Sequence, residues 1–154
     1  MNLLESLRNR RVVKELELKP WAAHRVLMEA AAGLSVAVML CHDDTWQFVE
    51  RQASERQHWR SPDPVSIPNR EESMVEVRLS GPQLAMIIEG LGIAAGIPYK
   101  RPRYVPAESR AIAKRLYTEI HDVLRQYQDN ANATVPAVVL DDQIGTAMGS
   151  DGRQ

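Results

Sequence analysis

The sequence predicts an α+β domain, predominantly helical, with a small two- or three-stranded sheet. Three observations predict it. Residues 74–79 alternate, with Val75, Val77 and Leu79 facing one way and Glu76 and Arg78 the other, the period of a half-buried strand. Apolar residues recur at helical spacing after Pro20, after Pro82 and over 107–128. The chain has 154 residues, 44% apolar and 25% charged, which is ordinary globular usage and enough for one domain.

Taken in order, Leu3, Leu4 and Leu7 share a helical face, so residues 2–9 are expected to form a short helix. Leu16 and Leu18 alternate with Glu15 and Glu17, the pattern of a strand within 12–18. Pro20 suits a first helical position, where its missing N–H costs nothing. A helix is then expected to run to about Leu40, with Ala23, Val26, Leu27, Ala30, Ala31, Leu34 and Val38 on its apolar face. Within it, Ala30 to Cys41 is the longest apolar run. It is too short for a bilayer, which needs roughly 20 residues. Asp43 is expected to cap a second helix over about 44–58.

The span 61–73 holds three prolines and marks an internal boundary. After the strand at 74–79, Ser80 can cap a helix with Pro82 just inside it. Leu84, Ile87, Ile88 and Leu91 make its stripe. A proline-bounded loop at 98–106 leads to the longest helix, about 107–128, with the stripe Ile112, Leu116, Ile120, Val123, Leu124 and Tyr127. Val135 to Leu140 reads as a short tail strand.

The expected organisation is one domain over 1–128 and an extension over 129–154 that is mobile unless docked. At an offset of 61 residues, Leu16, Leu18, Val26 and Leu27 align with Val77, Leu79, Ile87 and Ile88. That echo raises a strand-helix-helix duplication with halves 10–60 and 74–128. Two strands alone are marginal, so the sheet is expected to recruit 135–140 or a second subunit.

Charge and motifs exclude several functions. The net charge is −1, which does not indicate a strongly basic nucleic-acid binder. Cys41 is the only cysteine, so there is no intramolecular disulfide and no paired-cysteine zinc motif, which suits a cytoplasmic protein. There is no dinucleotide glycine loop, Walker A, zincin helix or nucleophile elbow. Cys41, His42, Asp43 and Asp44 are ligand-capable, but metal sites need spaced pairs. The expected roles are a buried thiol, a surface histidine and a cap, with no metal, no cofactor and no catalytic residue.

Two stretches point to partners. Trp59, flanked by Arg56 and Arg60 at an expected helix end, has the residue types of an interface anchor. Tyr99, Lys100, Arg101, Arg103 and Tyr104 interleave cations with rings. Arg110, Lys114 and Arg115 extend that group. Cations attract phosphates and rings stack on bases, so this is the alternative, nucleic-acid-binding site.

The stretch VEVRLSGPQLAMIIEGL at 75–91 resembles small uncharacterised accessory proteins of actinobacteria and their phages, where a strand leads into L-[ST]-x-x-[EQ]-L, here Leu79, Ser80, Gln83 and Leu84. The bias of 15 Arg against 4 Lys suits a GC-rich genome. The resemblance implies no activity and no site residues. The function expected from the sequence is a non-enzymatic protein-binding accessory module that self-associates, not a membrane protein, with nucleic-acid binding as the alternative and an enzyme third.

Overall fold

The fold is that of a computed structural model, which describes residues 20–68, 73–98, 105–129 and 137–140. The helix expected at 2–9, the strand at 12–18, the loop at 99–104 and the tail beyond 140 lie outside the described residues. The protein is α+β. In chain order come α1 (Pro20–Ala32), β1 (Val36–His42), α2 (Asp43–Ala53), β2 (Val65–Ser66), β3 (Met74–Ser80), α3 (Gly81–Ala95), α4 (Ala107–Asp129) and β4 (Ala137–Leu140). The sheet runs β2-β3-β1-β4. β3 is antiparallel to β2 and β1, while β4 is parallel to β1.

The sheet has four strands among the described residues, two of them unexpected: β2 lies in the expected boundary at 61–73, and β1 lies where the sequence predicts helix. α1 stops at Ala32, the Gly33 N–H donating to Glu29 and the Leu34 N–H to Ala31. The rest of the apolar run becomes β1, in the middle of the sheet. Its period is two. Ala37, Met39 and Cys41 are buried, and the residues between them are not. The leading strand of the proposed duplication lies outside the described residues. β1 also stands between α1 and α2, whereas β3, α3 and α4 follow the strand-helix-helix order.

α2 ends at Ala53, short of the expected 58, and Asp43 does not cap it. His42 holds the cap position without a side-chain capping bond, and Asp43 lies in the first turn, its N–H donating to Ser73 and its carboxylate accepting from Gln47. That carboxylate still favours the helix start, where free N–H groups carry partial positive charge.

α3 follows the sequence signals closely. The Ser80 hydroxyl accepts from the Gln83 N–H at 3.2 Å, and the Gln83 side chain accepts from the Ser80 N–H at 2.8 Å. Two free donors are thus satisfied reciprocally. Gly90 lets the helix cross α2 closely, since a methyl group there would come within 2.6 Å of the Gln52 carbonyl.

One face of the sheet carries Ala37, Met39, Cys41, Val75, Val77, Leu79, Val138 and Leu140, all buried. The helices pack there. α3 supplies Leu84, Ile87, Ile88 and Leu91, and α4 supplies Ile112, Leu116, Ile120 and Leu124. β4 belongs to this core, so part of the expected C-terminal extension is docked in the sheet. Among the described residues no helix is long and apolar enough to cross a membrane.

Candidate functional site

Among the described residues, the second face of the sheet, the open face, carries only exposed and half-buried side chains. Cross-strand partners share a face, so the registers Val36↔Ser80, Val38↔Arg78, Leu40↔Glu76 and His42↔Met74 set out its residues on β1 and β3. Ala137 and Val139 join beside Val38 and Leu40. Val36 and Val139 are exposed, and Val38 and Leu40 are half-buried. An apolar strip thus crosses β1 and β4. Beside it on β3 the Arg78 guanidinium stands 3.9 Å from the Glu76 carboxylate. Single exposed apolar residues are ordinary on protein surfaces, whereas large contiguous apolar patches are where interaction sites occur.

A cleft lies between α1 and α3. Trp21, His24, Arg25, Met28, Glu89, Ile93 and Pro98 line its volume of about 390 Å³. His24 is 6% exposed, its Nδ1 is 2.9 Å from the Tyr117 hydroxyl of α4, and the two rings stack. Burial lowers the His24 pKa and pushes that of Tyr117 up to about 12. Neither residue stands out in the sequence as functional. Trp21, His24, Arg25 and Met28 do follow the i, i+3, i+4, i+7 pattern of one helix stripe, which was the available signal. Of the expected apolar stripe, Leu27 and Ala31 are buried in the core and Val26 is exposed.

The expected partner residues are arranged differently from the prediction. Trp59 is half-buried and packs against the core; Trp21, at 54% exposure, is the open tryptophan. The Arg56 side chain is mostly covered and lies 3.7 Å from Glu89 and 3.9 Å from Glu55. Arg60 is exposed, and its carbonyl accepts from the Gln83 side chain. The Arg56 side chain and the Arg60 carbonyl thus tie the segment after α2 to α3, and Trp59 packs against the core.

Of the basic-aromatic group, Tyr99, Lys100, Arg101, Arg103 and Tyr104 lie outside the described residues. Arg110, Lys114 and Arg115 are exposed along α4, the Arg110 side chain donating to the Val105 carbonyl.

Cys41 is buried, and its thiol is pushed up to about 12 by burial, with the charges of Asp44 and Asp43 adding to the rise. That is the reverse of what a nucleophile or metal ligand needs. Among the described residues no group of three or more His, Cys, Asp or Glu converges to hold a metal. Comparison with known protein families, curated proteins and solved structures finds no match to this chain.

Proposed function

We propose that the protein is a non-enzymatic protein-binding module that self-associates through the open face of its sheet. The observation that carries this reading is the register of that face. Consider a two-fold axis between two stacked sheets, perpendicular to the strands at the level of Met39, Val77 and Val138. It would bring Val38 opposite Leu40 of a second copy and Ala137 opposite Val139. The same axis would set Glu76 against Arg78, twice by symmetry. At the centre of the face apolar groups would meet apolar groups and acid would meet base, while at its ends Val36 would meet His42 and Ser80 would meet Met74. Sheets pack in this way about 10 Å apart with strands rotated by about 30°.

Light scattering across micromolar concentrations tests it. The expected mass is twice the 17.3 kDa of one chain. Leu40→Lys should return the single-chain mass without unfolding the protein, since Leu40 lies on the open face. A single-chain mass for the unmodified protein throughout that range rejects the reading.

A further inference from the structure

We propose that the cleft between α1 and α3 binds a small, uncharged, planar aromatic carbonyl compound, with its ring on Trp21 and its carbonyl oxygen accepting from His24 Nε2–H. This stands apart from the open sheet face.

The tautomer follows from hydrogen-bond accounting. Burial holds Tyr117 protonated, so its hydroxyl has a proton to donate. Among the described residues its hydrogen-bond partner is His24 Nδ1, at 2.9 Å. Burial also keeps His24 neutral. The hydroxyl therefore donates to Nδ1, and the ring proton sits on Nε2. Tyr117 is the one hydrogen-bond partner of the His24 ring among the described residues, so Nε2–H has none there. A side chain more than nine-tenths buried, lining the cleft, thus carries a ring N–H with no protein partner among the described residues.

The rest of the cleft fixes the ligand class. Met28, Ile93 and Pro98 give apolar walls, and the half-exposed Trp21 gives an aromatic face for stacking. Its charges are already paired, Arg25 with Glu29 at 3.5 Å and Glu89 with Arg56 at 3.7 Å. No net charge remains to offset an ionic ligand. A volume of about 390 Å³ lies in the range of small-molecule sites.

The probes are 4-quinolone and acetophenone, compared with naphthalene and ethylbenzene, which lack the acceptor, and with benzoate and benzylamine, which carry charge. Titration calorimetry and tryptophan fluorescence on the full chain should show millimolar or tighter binding of the carbonyl probes, about tenfold tighter than the matched hydrocarbons. Trp21→Ala should weaken both carbonyl probes. His24→Phe, which keeps a ring, should erase the preference for carbonyl over hydrocarbon and leave naphthalene binding unchanged. Equal affinity for carbonyl and hydrocarbon probes, stronger binding of benzoate or benzylamine, or no binding at millimolar concentration overturns the proposal. A preference retained in His24→Phe overturns the role of Nε2.

Discussion

Gly92 is the seat of His24: a methyl group on it would come within 2.5 Å of the His24 ring carbon Cε1 and 3.2 Å of Tyr117. Glycine weakens a helix, and Gly92 lies in the last turn of α3. What the fold gains is a histidine buried flat against a tyrosine beneath a cleft. Gly92→Ala should therefore destabilise the protein, by about 1–3 kcal/mol, although alanine is the better helix former. Chemical unfolding would measure it. Adding His24→Ala to Gly92→Ala should recover part of the loss, because the two residues are in contact.

The same histidine sets an acid dependence. Its folded pKa lies below the ordinary 6.5 because burial disfavours the charged ring. As pH falls through 6.5, the unfolded chain takes up a proton that the folded chain refuses. Stability rises with pH wherever the unfolded state binds more protons, so this group costs stability on the acid side. Unfolding free energies compared at about pH 7.5 and about pH 5.5 should fall toward acid, and fall less in His24→Phe. An equal fall in both proteins would mean that His24 is not buried in its neutral form.

Cys41 should be inert while the protein is folded. With its thiol pushed up to about 12 behind a covered strand face, it has almost no thiolate at neutral pH. Iodoacetamide at about pH 8 should label it only at the rate of unfolding, and rapidly in denaturant. Fast labelling under native conditions would place the thiol at the surface.

Much of the second half of the fold was legible because its signals are local. The Ser80–Gln83 box starts α3, strict alternation marks β3, and a long clean stripe marks α4. β1 was not legible, for a physical reason that bears on function. Val36, Val38 and Leu40 on its open face are as apolar as Ala37, Met39 and Cys41 on its buried face, so no alternation shows. An apolar run of that length fits helix or strand equally well. The residues that hid the strand are those that make the open face a candidate interface. The cleft was hidden differently. A buried histidine is tolerable only with a partner, and Tyr117 stands 93 residues away in sequence.

The most direct test of the account is a charge exchange on the open face, read by sedimentation equilibrium. Glu76→Arg alone and Arg78→Glu alone each set like charges opposite one another, twice, across the two-fold axis. Each should weaken self-association by roughly tenfold, as expected for two exposed pairs. The combined Glu76→Arg and Arg78→Glu protein restores opposite charges across the axis and should associate like the original chain. Single changes that leave the association unaltered, or a double change that associates no better than the single ones, would contradict face-to-face pairing of the sheets.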